Sequence, residues 1–342
     1  MRVGVNPNKF EDVSDGGYLH QVIIPVYIPH QEGYFKDAFQ VLKVCLETLF
    51  KTVNSATFIT IVNNGCHETV VRFLDELFLE NKIHELIHTD NIGKINAVLK
   101  GLTGHKFKLI TIADADVFFL PNWQNATYDV FNALPKAGVV GLTPQIKMYK
   151  SKSSNVIAEN ILNSSISFMA ILDSEAFKNF YESIGWGNEY SDIHNQMGLG
   201  IKMKGVNCFI GSGHYVATYR SDIFDRIDTF VRGKKVAGIG EDYIDNRALI
   251  KGFWRLTTQQ NYAYHMGNTI SPFIKTQLHK ESNEVTMNDD KSIYAINSIR
   301  FTTSNNLIPY RFTQFILKRK RFEKYFLSKL CKDKVMLNEF LR

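Results

Sequence analysis

Apolar and polar residues follow two different periods along the first 145 residues of the chain. Runs rich in apolar, β-branched residues predict strands, at residues 21–28, 56–64, 83–89, 108–113 and 137–142. Apolar residues spaced three to four positions apart predict helices between them, at residues 36–51, 67–82, 92–102 and 124–134. Strands alternating with helices form a mostly parallel sheet covered on both faces. The pattern therefore predicts an α/β fold of a nucleotide-binding type.

Polar or turn-forming residues mark the end of each of the first four predicted strands. In strand order they are Pro25-Val26-Tyr27-Ile28-Pro29, Asn63-Asn64-Gly65, Asp90-Asn91-Ile92-Gly93-Lys94 and Asp114-Ala115-Asp116. Ligands of open α/β sheets bind at the carboxyl ends of the strands. Four marked ends in succession therefore predict a single binding site.

Asp114 and Asp116 are the most informative of these residues. Two carboxylates so close at a strand end repel each other unless a cation or a ligand lies between them. Hard oxygen ligands of this kind suit Mg²⁺ or Mn²⁺ carrying a diphosphate. The competing interpretation is that both acids are solvated in a loop. Lys94, at a helix start, either faces an anion or is likewise solvated.

Beyond residue 144 the pattern is less regular. Residues 147–155 are polar and predict a surface loop, and Trp186 lies between two glycines. Glu241 and Asp242 open a predicted helix that ends near Gly252. A strand at 253–257 and a segment at 262–268, which contains His265, follow.

Composition narrows the class of protein. The chain has 342 residues, 44% hydrophobic and 22% charged, which suits one large or two modest globular domains. No apolar run approaches the ~20 residues of a membrane span, and the first ten residues do not form a signal peptide. Four scattered cysteines lack metal-ligand spacing and indicate a reducing compartment. We therefore expect a cytoplasmic protein.

The net charge of +6 is concentrated at the C-terminus. Residues 291–342 carry 12 Lys or Arg against three acids, so the rest of the chain is slightly acidic and nothing in it calls for a nucleic-acid partner. One predicted helical face carries aromatic and aliphatic side chains, namely Phe312, Phe315, Ile316, Phe322 and Phe326. A basic amphipathic segment of this kind either lies on an anionic membrane or packs its apolar face against its own domain.

In this order and spacing, the motifs resemble those of the family 2 glycosyltransferases, inverting enzymes of the GT-A fold. The matching stretches are Val22-Ile-Ile-Pro-Val-Tyr27, Asn91-Ile-Gly-Lys94, Ala113-Asp-Ala-Asp116, Tyr219-Arg-Ser-Asp-Ile-Phe224, Gly240-Glu-Asp-Tyr-Ile-Asp-Asn-Arg247 and Gly252. The resemblance covers roughly residues 20–270. It implies an N-terminal extension at 1–19, a nucleotide-sugar-binding half at 20–145, an acceptor-binding and catalytic half at 146–275, and a basic, largely helical extension at 276–342.

The resemblance also implies roles for single residues. Those that would bind the nucleotide-sugar are Pro25, Tyr27, Asn63, Lys94 and Asp114. Asp116 would be the main ligand of Mn²⁺ or Mg²⁺, with Asp114 and His265 as further ligands. Asp242 would be the general base, Glu241 would hold donor or acceptor beside it, and Trp186 would stack on an acceptor sugar.

Structural interpretations compete with three of these roles. Asp242 could merely cap its helix, His265 could be a packed core residue, and Trp186 could plug a loop into the core. The sequence also departs from many relatives, which have acidic residues where this chain has Asn63 and Asn64. That departure leaves the preferred nucleotide open.

The implied function is metal-dependent, inverting transfer of a sugar from a nucleotide-diphosphate sugar, with UDP favoured, to a glycan or lipid-linked acceptor in polysaccharide biosynthesis. Such an enzyme would work in the cytoplasm, at the inner face of the membrane if the tail contacts lipid. One alternative is an inactive GT-A scaffold that binds nucleotide or glycan. A second is a sugar-phosphate nucleotidyltransferase, which would need a glycine-rich basic loop that Tyr27-Ile-Pro-His-Gln-Glu32 does not supply.

Overall fold

Strands and helices alternate in the computed structural model, which describes residues 4, 9, 16–162, 164–187, 190–231, 239–281, 291–301 and 307–341. Within these ranges, the side chains of residues 239–242, 281, 291 and 307–309 are not described. The strands are β1 His20–Val26, β2 Thr57–Asn64, β3 Glu85–Thr89, β4 Leu109–Ala113, β5 Val117–Phe119, β6 Ala137–Gly141, β7 Ile166–Ala170, β8 Met197–Met203, β9 Val206–Ile210, β10 Val216–Arg220, β11 Trp254–Thr258 and β12 Ala263–His265.

Helices connect most of these strands and form the C-terminal end of the chain. They are α1 Ala38–Thr52, α2 Glu68–Leu79, α3 Lys94–Gly101, α4 Trp123–Ala133, α5 Ser154–Asn160, α6 Ser174–Ser183, α7 Ile239–Ile250, α8 Pro272–Glu281, α9 Leu307–Leu317, α10 Lys320–Leu330 and α11 Lys334–Phe340. The strands and helices predicted for the first 145 residues are confirmed, with ends that shift by up to three residues. Among the described residues, no helix combines the length and apolar character needed to cross a bilayer.

Ten of the described strands form one sheet in the order β3-β2-β1-β4-β10-β6-β11-β9-β8-β7. Strands β3, β2, β1 and β4 are parallel, as predicted. Strand β10 runs antiparallel between β4 and β6, and β9, β8 and β7 add an antiparallel extension. The α/β class is therefore confirmed, with a parallel half that carries the predicted strand ends. Strands β5 and β12 form a separate two-stranded ribbon.

Successive residues of β1 point to opposite faces of the sheet, so its continuous apolar run places apolar side chains on both faces. Val22 and Ile24 pack in a core with residues of α1 and α2, whereas Ile23 packs in a second core with residues of α3 and α7. A strand covered on both faces reads as a continuous apolar run, which is the pattern that predicted it.

Residues 147–155 were predicted to form a surface loop, and that prediction is wrong. Met148–Lys150 forms a short 3-10 helix and α5 begins at Ser154, with Tyr149 and Asn155 fully buried. The Tyr149 hydroxyl donates a hydrogen bond to Glu323 at 2.5 Å, and the Asn155 amide donates to the Phe253 carbonyl at 2.8 Å. These two polar groups are paired inside the protein with distant residues, so local polarity misled the prediction.

The C-terminal helices pack on the end of the sheet formed by β7–β9. Leu317, Leu327, Leu337 and Phe340 are buried in one core together with residues of β8 and β9. Glu323 is buried as well, accepting from Tyr149 and pairing with Lys150 at 2.6 Å. These contacts hold α9–α11 against the domain through three leucines, one phenylalanine and a paired carboxylate.

The aromatic face predicted for this segment lies mostly in solvent. Phe312, Phe315 and Phe322 are 56–62% exposed, and Tyr325 beside them is 63% exposed. Of the five residues predicted to share a face, only Phe326 packs against the buried core. The interpretation that this face covers the domain is therefore wrong for its three exposed phenylalanines.

Gly138 in β6 offers a test of the packing at the centre of the sheet. A Cβ atom at this position would lie 2.3 Å from Cβ of Phe253, which cannot move without its backbone. We expect Gly138→Ala to lower the free energy of unfolding by about 3 kcal/mol, because overpacking forces backbone shifts. Gly187→Ala is the matched control, since its nearest neighbour would be at an ordinary 3.6 Å. Urea denaturation of both variants measures the difference, and equal losses would contradict the packing.

Candidate active site

A cavity of about 260 Å³ lies at the carboxyl ends of the parallel strands. Strands β1, β2 and β4 end at the same edge of the sheet because they are parallel. The side chains and backbone that line the cavity come from Pro25, Tyr27, Ile28, Tyr34, Phe35, Ala38, Val41, Asn64, Asn91, Lys94, Asp114, Ala115, Asp116, Gly267 and Asn268. The four marked strand ends therefore meet at one site, as predicted.

Lys94 and Asp114 form an ion pair on one wall of the cavity. Lys94 is the first residue of α3 and follows Gly93, whose φ of +84° favours glycine. Its Nζ lies 2.6 Å from Oδ1 of Asp114 at the end of β4. A diphosphate entering the cavity would compete for this lysine, which is also placed at the positive end of the α3 dipole.

Asp116 also lines the cavity, and burial perturbs the ionisation of its carboxyl group. Burial raises the pKa of Asp116 to about 6, with His265 opposing the rise and Asp114 adding to it. Its Oδ2 lies 3.4 Å from Nε2 of His265, and its buried Oδ1 has no hydrogen-bond partner. A buried carboxylate oxygen without a donor, beside an imidazole nitrogen, is a setting that a divalent cation satisfies.

The β5–β12 ribbon brings Asp116 and His265 together. Val117 pairs with His265 in the antiparallel register, and the Met266 N–H donates to the Asp116 carbonyl at 2.9 Å. Two residues 149 positions apart in the sequence are thus held side by side by backbone hydrogen bonds. His265 therefore contacts a residue that lines the cavity without being one of the lining residues, and its ring packs edge-on to Tyr215 and Phe180.

The donor set fits a divalent metal ion only in part. Asp116 and His265 lie side by side, whereas Asp114 is paired with Lys94. In the described portion of the chain, no group of three or more His, Cys, Asp or Glu side chains is arranged to hold a metal ion. The predicted three-ligand set is therefore not assembled in this structure, and remaining coordination positions would fall to donor oxygens and water.

Aromatic residues of two neighbouring segments also line the cavity. Tyr27, predicted to shape the site, lies edge-on to Phe35 with ring centroids 5.8 Å apart. Phe35 and Tyr34 were not predicted, although both follow the first strand within ten residues. The sequence signal that could have identified them is a pair of adjacent aromatic residues in the short segment after the first strand. Such rings offer stacking surface to a flat ligand.

Asn63 and Asn64 have different surroundings. The Asn63 side chain is buried away from the cavity, where its amide contacts His88 at 2.8 Å and accepts from the Cys66 N–H at 2.9 Å. Asn64 lines the cavity instead and accepts from the Ile92 N–H at 2.9 Å. Adjacent strand residues point to opposite faces, and only the tertiary structure shows which one faces the ligand.

The predicted base, Asp242, and its neighbour Glu241 lie within α7, but their side chains fall outside the described residues. One turn later, Asp245 is buried and pairs with the buried Arg255 at 2.5 Å. Arg255 also donates to the Ser212 carbonyl at 2.7 Å. This pair anchors the helix that carries both acids to the adjoining strands.

Trp186 is 58% exposed, so the interpretation that it plugs a loop into the core is wrong. Its backbone N–H donates to the Tyr181 carbonyl at 2.7 Å, which fixes the loop just after α6. Trp186 is not among the residues that line the cavity. Its predicted stacking on an acceptor sugar stays a prediction.

With the strand ends, the acidic pair and the lysine assembled at one cavity, the class of protein is defined: the chain belongs to the glycosyl transferase family 2, whose family model matches residues 22–195. The protein is a glycosyltransferase. No curated protein sequence matches the chain significantly.

Solved structures of glycosyltransferases are similar at a distance. TarS from S. aureus is 10% identical with a TM-score of 0.42, and the match covers 81% of this chain but 41% of TarS, less than half of its length. TarS 1–349 in complex with UDP-GlcNAc is 11% identical, with a TM-score of 0.43 and coverages of 92% and 82%. A mannosyltransferase from Pyrobaculum calidifontis, PcManGT, in complex with GDP-Man and Mn²⁺, is 11% identical with a TM-score of 0.42, covering 96% and 88%.

The raised pKa of Asp116 predicts how the stability of the folded protein changes with pH. Its pKa in the folded protein, about 6, lies above the ordinary pKa of an aspartate, so stability is highest where the group is protonated and falls as pH rises through 6. Asp116→Asn removes this ionisation, and we expect it to stabilise the metal-free protein by about 1–3 kcal/mol at pH 8 and by much less at pH 4.

Thermal denaturation in EDTA between pH 4 and pH 8 measures this gain. Asp114→Asn is the control, because Asp114 is paired with Lys94 and its replacement is expected to bring no such gain. A uniform loss of stability in Asp116→Asn at every pH would contradict the assignment of strain to the Asp116 carboxylate.

Proposed function

We propose that the protein is a metal-dependent, inverting glycosyltransferase that moves a sugar from a UDP-sugar to a hydroxyl group of a glycan or lipid-linked acceptor. The observation that carries this proposal is the pairing of Asp116 with His265 beside a buried, unpartnered carboxylate oxygen, in a cavity that Lys94 and Asp114 also line. Family membership supplies the reaction class.

The nucleotide occupies the cavity at the strand ends. Tyr27, Tyr34 and Phe35 offer ring surface to the base, and Pro25 shapes the pocket at the end of β1. Asn64 and Asn91 supply amide groups that hydrogen-bond the base or ribose. Asn64 takes the place in this proposal that the sequence assigned to Asn63.

The diphosphate lies next to Lys94, Asp114 and Asp116. Lys94 exchanges part of its contact with Asp114 for a phosphate oxygen, and Asp114 is then released toward the ribose or the cation. Asp116 and His265 would hold Mn²⁺ or Mg²⁺, and the ion would supply Lewis-acid stabilisation of the departing diphosphate. The remaining ligands would come from oxygen atoms outside the protein side chains.

Transfer is a single displacement at the anomeric carbon. Asp242 takes the proton from the acceptor hydroxyl, the new oxygen–carbon bond forms, and the bond from carbon to the diphosphate oxygen breaks on the opposite face, which inverts the configuration. The electron pair of the broken bond leaves with the diphosphate, whose charge Lys94 helps to balance. Glu241 sits beside the base and holds donor or acceptor hydroxyls. The Asp245–Arg255 pair supports the helix that carries both acids.

The alternatives are an inactive scaffold and a sugar-phosphate nucleotidyltransferase. The Asp116 carboxylate, with its raised pKa and unpartnered oxygen, would be relieved by a bound ligand in a scaffold as well as in an enzyme. The residues after β1 form a 3-10 turn at Gly33–Phe35, with a single glycine and no arginine or lysine among residues 27–35. The turn disfavours nucleotidyl transfer, and turnover distinguishes sugar transfer from binding alone.

The general-base assignment is tested with Asp242→Asn. We expect this variant to bind the donor as the wild type does and to lose at least about 10²-fold in kcat, because a neutral amide cannot accept the acceptor proton. Nucleotide release from a panel of UDP-, GDP- and dTDP-sugars, with Mn²⁺ or EDTA, gives the rates, and calorimetry gives donor binding. Glu76→Gln, an exposed glutamate of α2, is the control. Wild-type kcat in Asp242→Asn would disprove the role.

We also propose that the enzyme contacts an anionic membrane surface through α9 and α10. The exposed aromatic face consists of Phe312, Phe315, Phe322 and Tyr325. Exposed cations surround it, at Arg311, Lys318, Arg319, Lys320, Arg321 and Lys324. Arg319 lies 4.8 Å from the Phe315 ring centre and Lys329 lies 5.0 Å from that of Tyr325. Aromatic rings beside cations suit an interface of anionic headgroups, and such contact would bring the site to lipid-linked acceptors. The cytoplasmic location stays a prediction.

Vesicle flotation tests the membrane contact. We expect the protein to float with vesicles of anionic phospholipid at low salt, to float less in 0.5 M NaCl, and to stay behind with zwitterionic vesicles, because screening weakens the attraction. Phe312→Ser combined with Phe315→Ser should weaken flotation at least several-fold. Leu79→Ser, which replaces a more exposed apolar residue on α2, is the control and should float like the wild type. Equal flotation of all three proteins would refute the assigned face.

A further inference from the structure

We infer that Ser183 positions His265 for metal binding by fixing which ring nitrogen carries the proton. Ser183 is the last residue of α6, and nothing in the sequence motifs points to it. The inference rests on the proposed metal-dependent function, and it adds a residue that touches neither the donor nor the metal.

The direction of the hydrogen bonds around Ser183 is determined by one acceptor. The Ser183 Oγ lies 2.7 Å from the Phe180 carbonyl, which can only accept, so the hydroxyl proton is committed to that bond. Oγ also lies 2.8 Å from Nδ1 of His265. Because the Ser183 hydroxyl donates its hydrogen bond to the Phe180 carbonyl, its oxygen can only accept a hydrogen bond from the histidine ring. Nδ1 must therefore carry the ring proton.

A proton on Nδ1 leaves Nε2 of the neutral ring with a lone pair. Nε2 is the atom 3.4 Å from Oδ2 of Asp116. When Asp116 is ionised and His265 is neutral, Oδ2 and the Nε2 lone pair face each other, and a cation between them would take both atoms as ligands. Metal-ligating histidines commonly donate their other ring N–H to a partner that fixes tautomer and orientation. Ser183 is that partner here.

Packing keeps the ring in this orientation. His265 is only 13% exposed in its side chain, and the rings of Tyr215 and Phe180 meet it edge-on at 5.1 and 6.0 Å. Gly267, with φ of +67°, lets the end of α6 approach the turn after β12, since a Cβ there would lie 3.2 Å from the Ser183 carbonyl oxygen. The serine and the histidine are therefore held in contact by their surroundings as well as by their own bond.

Manganese binding to the purified protein tests the inference. We expect Ser183→Ala to weaken Mn²⁺ binding about 10- to 100-fold, as loss of such a partner commonly does, measured by electron paramagnetic resonance of free Mn²⁺ with and without UDP. Ser183→Thr keeps the hydroxyl and should restore most of the affinity. Ser328→Ala is the matched control, because the Ser328 Oγ also donates to a carbonyl three residues earlier, at 2.7 Å, but lies on α10.

A second readout follows the ring itself. In ¹⁵N-histidine-labelled, metal-free protein above pH 7.5, long-range proton–nitrogen spectra should show His265 protonated at Nδ1 in the wild type and in Ser183→Thr. In Ser183→Ala that preference should be lost. An Nε2-protonated wild type, or unchanged Mn²⁺ affinity in Ser183→Ala, would overturn the inference. Wild-type protein that binds no Mn²⁺ even with UDP would instead overturn the metal dependence proposed above, and the role of Ser183 with it.

Discussion

The parallel pairing of β1 with both β2 and β4 is the constraint on which the rest of the site depends. It brings three strand ends to one edge of the sheet, where no ladder continues and side chains face open space. Apolar residues on both faces of β1 hold this register, since a slip by one residue would exchange the faces that pack against α1 and α3. The cavity, its aromatic lining residues and its charged groups all follow from that edge.

The site is built at a cost in stability. Asp116 is placed where burial disfavours its charge, and one of its oxygens has no partner. The β5–β12 ribbon then adds a histidine rather than an arginine or lysine, so the carboxylate is only weakly compensated in the protein alone. Natural proteins keep such strain where a ligand relieves it, and a donor carrying a divalent cation would do so. By contrast Asp114, two residues away, is already matched by Lys94.

The C-terminal helices show how one amphipathic segment can serve packing and exposure together. Aliphatic residues such as Leu317 and Leu327 are buried, and Glu323 is drawn inside because Tyr149 and Lys150 meet its carboxylate. This arrangement leaves the neighbouring aromatic rings outward among the cations. The helices are therefore fixed to the domain by one face, which leaves the opposite face available for a surface partner.

Much of the fold could be predicted because strands and helices reveal themselves by local period. The apolar runs of β1, β2 and β4 and the helical spacing of α1 and α2 needed no tertiary information. The same is true of the strand ends, since Pro25, Lys94, Asp114 and Asp116 stand next to those runs and parallel strands must bring their ends together. His265 entered only through the resemblance to a family, because nothing near it in the sequence marks a ligand.

What the sequence by itself determined, then, is the α/β class, the edge at which ligands bind and most of the charged groups there, all of which depend on neighbours within about ten residues. The tertiary structure decided that Asn64 and not Asn63 faces the cavity, that Tyr149 and residues 153–155 are buried, and that Phe312 and Phe315 are exposed. It also decided that Ser183 meets His265 across 82 positions. Each of these features depends on a contact between segments that are distant in the sequence. The local periodicity of apolar residues does not show which distant residue a side chain will contact after folding.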